Sequence, residues 1–207
     1  KASNTELWED PKKALGAEEF RARVEREWEV TRQRMPALAA GQIERARSFF
    51  TAPPYRACDD AAAESLLAGQ RATNRAFDRW MSRNVSAHRV PGYAIVTLSL
   101  KPTGIAPGDA TERQMELVAN LADSYSFGEI RVTHEQNLVL ADVEKDKLFA
   151  LWEAAREAGL ATPNIGMLTD IICCPGGDFC SLANAKSIPV AEAIQRRFDD
   201  LDYLHDL

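Results

Sequence analysis

Cys174 and Cys180 enclose the five residues Pro175-Gly176-Gly177-Asp178-Phe179, and a third thiol, Cys173, stands directly before the first. Structural zinc sites usually place two to four residues between paired sulfurs, and dithiol redox motifs place two. The wider spacing here suits a loop wrapped round something larger than one ion. Glycines let backbone N–H groups come close to such an object and hydrogen-bond its sulfide or thiolate. A helix expected from near Ser181 would add its positive end, which favours an anionic group. A net-negative iron–sulfur cluster meets these conditions, although a four-iron cluster needs four thiolates and this pair supplies two. If Met167–Ile172 is a strand running into the loop, alternation sends Cys174 towards the cluster and Cys173 into the core.

Other residues invite weaker readings. Arg131, Thr133, Gln136 and Asn137 fall in "RVTHEQN", a short strand and tight turn. Gln136 and Asn137 are equally good turn formers, and Arg131 also suits a solvated strand face. Cys58 reads as a small buried hydrophobe. His88, His134 and His205 have no partners at metal-ligand spacing and read as surface or hydrogen-bonded histidines. Trp8, Trp28, Trp80 and Trp152 sit at helical apolar positions and are expected in cores. Asp199, Asp200 and Asp202 read as a solvated acidic face.

The elements that must position these residues come in two styles. Residues 1–85 read as helical. Phe20, Val24 and Trp28 recur on one face of a helix over 17–34, behind Glu18 and Glu19 in its first turn. Pro36 interrupts it, and a second helix lines up Ile43, Ala46 and Phe50. Pro53-Pro54 breaks the chain, and a further helix is expected over 60–80. Residues 86–162 change period. "YAIVTLSL" alternates, placing Ala94, Val96, Leu98 and Leu100 on one strand face. Thr111 and Gln114 offer a capping box to a helix burying Met115, Val118, Leu121 and Ala122. "EIRVT" and "NLVLADV" make two strands joined at 134–136. Asp142 is a candidate cap for a last helix that turns Leu148, Leu151, Trp152 and Ala155 inward and stops at Gly159. The order β-α-β-β-α is most of a ferredoxin-like unit, so the fold class is α/β (α+β). Residues 163–207 hold the cysteine loop.

Composition excludes several functions. Among 207 residues, 45% hydrophobic and 27% charged describe a globular chain. A net charge of −6 with no basic stripe argues against a nucleic-acid surface. The longest apolar runs are strand-sized, so no membrane span is expected, and the first residues lack a secretory signal pattern. Four cysteines, two of them adjacent, are too few for a disulfide scaffold and fit a reducing cytoplasm. The termini suggest a piece of a longer protein.

"CCPGGDFCSLANAKSIPVAEAIQRRF" resembles the first cluster-binding half of the sirohaem-dependent sulfite and nitrite reductases. "PGYAIVTLSLKPTGIAPGDATERQMELVANLADSYSFGEIRVTHEQNLVLADV" is similar to their second ferredoxin-like half-domain, and the likeness covers roughly residues 80–207. It is nearest to the bacterial sulfite reductase haemoprotein. The resemblance implies that Cys174 and Cys180 ligate a [4Fe-4S] cluster. It also implies that Arg131, Thr133, Gln136 and Asn137 face a sirohaem and substrate cavity. In that family a Cys-x3-Cys pair completes the cluster and links it to sirohaem, but no cysteine follows Cys180. The implied parent carries out six-electron reduction of sulfite to sulfide, or of nitrite to ammonia, fed by a flavoprotein or ferredoxin. A non-catalytic ferredoxin-like scaffold is the alternative. Without the missing first half-domain and the second cysteine pair, this chain is expected to hold no cofactor, to be inactive alone, and to self-associate.

In the complete enzyme, Cys174→Ser is expected to abolish the absorbance of the cluster, whereas Cys173→Ser retains most of it. Ultraviolet–visible spectra of the two variants check this, and equal loss from both would reverse the assignment.

Overall fold

The computed structural model describes residues 15–199. Packing divides the chain at Pro53–Pro54 into two compact units. In the first, α1 (Ala17–Arg34) and α2 (Ala40–Arg47) form where the apolar spacing predicts helices. Neither buries a residue: Phe20, Val24, Trp28 and Ile43 are all exposed. Trp28, at 52% exposure, is therefore not a core residue, because its apolar stripe has no covering element among the described residues. Phe50 lies beyond the end of α2 and is the most exposed of these side chains. Trp8, His205, Asp200 and Asp202 lie outside the described residues.

The second unit begins with α3 (Asp60–Thr73) and α4 (Arg75–Asn84), which replace the single helix expected over 60–80. Asn74 makes the break. It closes α3 in an extended conformation, and its side chain accepts the Phe77 N–H at 3.0 Å as the cap of α4. This turns α4 so that Phe77 and Trp80 are fully buried. Four strands follow: β1 (Val85–Ala87), β2 (Tyr93–Leu98), β3 (Arg131–Val132) and β4 (Leu138–Glu144). They form one antiparallel sheet in the order β1-β2-β4-β3.

Between β2 and β3 runs α5 (Glu112–Tyr125), and after β4 comes α6 (Leu148–Glu157). The predicted capping box is present, with Thr111 accepting the Gln114 N–H at 3.2 Å and Gln114 accepting the Thr111 N–H at 2.9 Å. Val118, Leu121 and Ala122 are buried, but Met115 is half exposed because it stands at the margin of the stripe they define. The core joins this stripe and the α6 residues Leu148, Leu151, Trp152 and Ala155 to Val96, Leu98, Leu138 and Leu140 of the sheet. Phe77 meets the rings of Phe149 and Trp152 at centroid distances of 5.0 and 5.3 Å. Gly159 stops α6 at φ 74°.

Asp142 does not cap α6. It lies inside β4, and a 3-10 turn at Lys145–Lys147 leads into the helix instead. Between the pairs Ala94–Val143 and Val96–Leu140, β4 carries one residue more than β2. This bulge turns Asp142 to the face opposite the helical core. There Tyr55, His88, Tyr93 and Phe127 form a ring cluster, with centroids 5.1–6.1 Å apart in the contacting pairs. Asp142 is buried and accepts the Tyr55 O–H at 2.6 Å, and His88 Nε2 lies 3.2 Å from the same oxygen. This contact straps the segment after Pro54 to the sheet.

The hydrogen bond to Asp142, and then burial, push the Tyr55 phenol above its ordinary value. A group raised on folding stabilises below its unfolded value, and that contribution disappears as pH climbs through the folded one. Tyr55→Phe is expected to cost about 1–3 kcal/mol at neutral pH. The gap to wild type should narrow as pH rises above roughly 10. Urea unfolding across alkaline pH measures it; a gap independent of pH would dissociate Tyr55 from Asp142.

Candidate functional site: the cysteine loop and its polar support

No strand forms over Met167–Ile172. The segment is a series of turns, with Met167 N–H bonded to Asn164 O at 2.9 Å and Asp170 N–H to Met167 O at 3.0 Å. Side chains supply the partners that a neighbouring strand would have given. Asn164, 4% exposed, accepts the Ser99 hydroxyl at 2.8 Å and donates to Lys101 O at 3.0 Å and Thr169 O at 3.4 Å. Asp170 accepts from Lys101 Nζ at 2.7 Å, from Asn137 Nδ2 at 3.0 Å and from the Gly166 N–H at 3.0 Å.

Lys101 is the unexpected member. Its side chain is 0% exposed, and its ammonium donates to Asp170 Oδ1, to Asp170 O and to Glu135 O. Three protons meet three oxygens, the condition under which a charge survives burial. Sequence reading missed Lys101, Asn164 and Asp170. The available signal was a cluster of polar residues in 162–170 with neither helical nor strand period, which asks where its hydrogen bonds go.

The four hairpin residues are used unequally. Arg131 is exposed on β3 and pairs with Glu129, an ion pair that raises its already high pKa. Thr133 Oγ1 accepts the Asn137 N–H at 3.2 Å. Asn137 is 3% exposed, and its Oδ1 accepts the Leu100 N–H at 3.2 Å. Gln136, at φ 59°, reaches across to Cys173. His134 is exposed at the turn beside Glu135, and His88 is hydrogen-bonded as expected. The hairpin is therefore not an open polar rim. Its amide side chains face inward and tie it to the segment before the cysteine loop.

Within that loop, Cys173 is buried, Cys174 exposed and Cys180 half-buried. The inward and outward directions of Cys173 and Cys174 agree with the expectation, although turns and not a strand produce them. Burial, then the neighbouring Cys174, raises the Cys173 pKa, so this sulfur stays a thiol, and its S–H donates to Cys174 O at 3.2 Å. Cys58 is only half-buried. Gly176–Asp178 makes a 3-10 turn, closed by Cys180 N–H to Gly176 O at 2.8 Å.

The next helix, α7 (Ser187–Phe198), starts later than Ser181 because 181–186 folds into turns first. Gly177 N–H donates to Ala185 O at 2.7 Å. A Cβ on Gly176 (φ 60°) would meet that same oxygen at 2.7 Å and Ser187 N at 2.9 Å. Gly176 thus lets the loop sit against the start of α7. Among the described residues, no group of three or more His, Cys, Asp or Glu is arranged to hold a metal ion. Cys174 and Cys180 are two partly or fully exposed thiols, half the number of thiolates that a four-iron cluster takes.

Breaking the buried ion pair from one side should be costly. Asp170→Asn or Lys101→Met is expected to destabilise by about 3–5 kcal/mol, while the double variant loses less than the sum. Urea midpoints of the four proteins close the cycle; additive losses would mean that the two groups do not interact.

Comparison with known proteins matches this architecture. The family described as nitrite/sulfite reductase ferredoxin-like half domain matches residues 91–158, the stretch from just before β2 to just past α6. The chain is 30% identical over 149 residues to the chloroplastic ferredoxin–nitrite reductase of Betula pendula, covering 70% of this chain and 24% of that protein. It is 28% identical over 187 residues to that of Arabidopsis thaliana, covering 88% and 26%. The Spinacia oleracea protein is 28% identical over 149 residues, covering 69% and 23%. The chain thus spans about a quarter of the length of the curated relatives it matches. Residues 91–158 are a ferredoxin-like half-domain of the nitrite and sulfite reductase family.

Proposed function

We propose that this chain is part of a reductase that delivers six electrons to sulfite or nitrite, and that it contributes one half-domain and two cluster thiolates. The observation that carries this is the physical union of the two parts. The half-domain binds the segment that leads to the cysteine loop through Lys101–Asp170, after β2, and through Asn137–Asp170 and Gln136–Cys173, from the hairpin. In this reading Cys174 and Cys180 hold a [4Fe-4S] cluster with two thiolates from a pair that this chain does not carry. When bound, such a cluster would supply single electrons for the reduction of the anion. Arg131 offers a fixed positive charge on the exposed side of the hairpin. Thr133, Gln136 and Asn137 shape the same cofactor-facing surface from beneath.

Sulfite is the substrate suggested by the likeness to sulfite reductase haemoproteins. The names of the relatives favour nitrite as a second reading, and they favour ferredoxin over a flavoprotein as donor. No helix among the described residues is long and apolar enough to cross a membrane. Free thiols at the cluster loop require a reducing compartment, such as the cytoplasm.

The test uses the complete enzyme that contains this chain. It is expected to bind iron and sirohaem and to reduce one of the two anions with a kcat/KM at least about tenfold above the other, about 1.4 kcal/mol of discrimination. A cofactor-loaded enzyme that reduces neither anion would overturn the reading in favour of a scaffold.

A further inference from the structure

Gln136 stands in for a missing strand. Its Nε2 donates to Cys173 O at 2.8 Å, and Cys173 N–H donates to its Oε1 at 2.9 Å. Directly opposed residues of an antiparallel ladder exchange such a pair of bonds, one in each direction. A carboxamide presents the same donor and acceptor side by side. The segment around Cys173 has no sheet neighbour, so this side chain answers both of the Cys173 backbone groups.

The clamp is braced from behind. Gly108, at φ 89°, lies so close that a Cβ there would come within 3.0 Å of Gln136 Cβ and 3.3 Å of its Cδ. Gly108 is itself fixed by its N–H bond to Leu100 O at 3.0 Å. A cavity of about 140 Å³ beside the clamp is lined by Gly108, Gln136, Cys173, Pro175 and Ile188 among others. A released Cys173 would have room to shift there.

We propose that Gln136 is the positioning residue for the Cys174 thiol. By holding the backbone of Cys173 on both sides, it keeps that sulfur buried and turns the next one outward, in register for a metal centre, without needing the metal to order it. The purpose rests on the reading of Cys174 as a cluster ligand. The clamp itself does not.

Alkylation of this chain by iodoacetamide, followed residue by residue by mass spectrometry, tests the clamp with no metal present. In wild type, Cys174, which is exposed, should react at least about tenfold faster than Cys173, which is buried. Q136L, which can make neither bond, should bring the two rates within about threefold while leaving Cys58 unchanged. Q136E can accept from Cys173 N–H but cannot donate to its carbonyl when ionised, so an intermediate ratio is expected. G108A, which crowds the Gln136 stem, should move the ratio the same way. A wild-type ratio in Q136L, with circular dichroism and Cys58 reactivity unchanged, overturns the proposal. Should Q136L fail to fold, wild-type ratios in both Q136E and G108A overturn it. The ligand reading fails separately: it falls if Cys174→Ser leaves the iron content of the complete enzyme intact, whatever the alkylation ratios.

Discussion

A fully buried ammonium organises the second unit. Lys101 leaves the end of the β2 region with no access to water, and an ion of that kind is tolerated only where every proton finds an oxygen. The oxygens come from two places far apart in sequence, the turn before β4 and the segment after α6. Satisfying one cation therefore fixes the hairpin and the run-in to the cysteine loop with respect to each other. Hydrophobic packing alone would not do this, since apolar contact has no direction. The ion pair adds specificity to a core whose stability comes from the layer between the sheet and its helices.

The polar bonds around Lys101 form a chain of dependencies. Asp170 is held by Lys101, Asn137 and the Gly166 amide, and Asn137 in turn closes the gap at Leu100. Asn164 joins Ser99 to the same turns. Cooperative networks of this sort are rigid when complete and costly when one member is missing. They adjoin a loop in which one sulfur, Cys174, is exposed and its neighbour, Cys173, is buried.

Much of the half-domain was legible in the sequence. Alternation exposed β2 and β4, and the capping box at Thr111 and the stop at Gly159 marked helix ends that local chemistry determines. What escaped depends on tertiary partners. Asn74 reads as an ordinary helical residue until its side chain is seen capping α4. Residues 167–172 have a strand's composition but no strand beside them, and the stripe of α1 gives no hint that nothing among the described residues will cover it. At the candidate site, spacing singled out Cys174 and Cys180 and the neighbour rule separated Cys173 from Cys174. The support was invisible, because a lysine after a strand and an aspartate in a turn look like surface residues until their burial is known.

The bulge in β4 sets the phase of the sheet. Before it, even-numbered residues Leu138 and Leu140 point to the oil; after it, odd-numbered Val143 does. One inserted residue thus lets a single strand end on a hydrophobic beat while delivering a carboxylate to the opposite side. Were the bulge straightened with the sequence unchanged, strict alternation would put Asp142 on the beat that Leu138 and Leu140 keep, and a charge would enter the helical core. The length of β4 behaves like a reading frame, in which a shift by one residue exchanges the meaning of both faces.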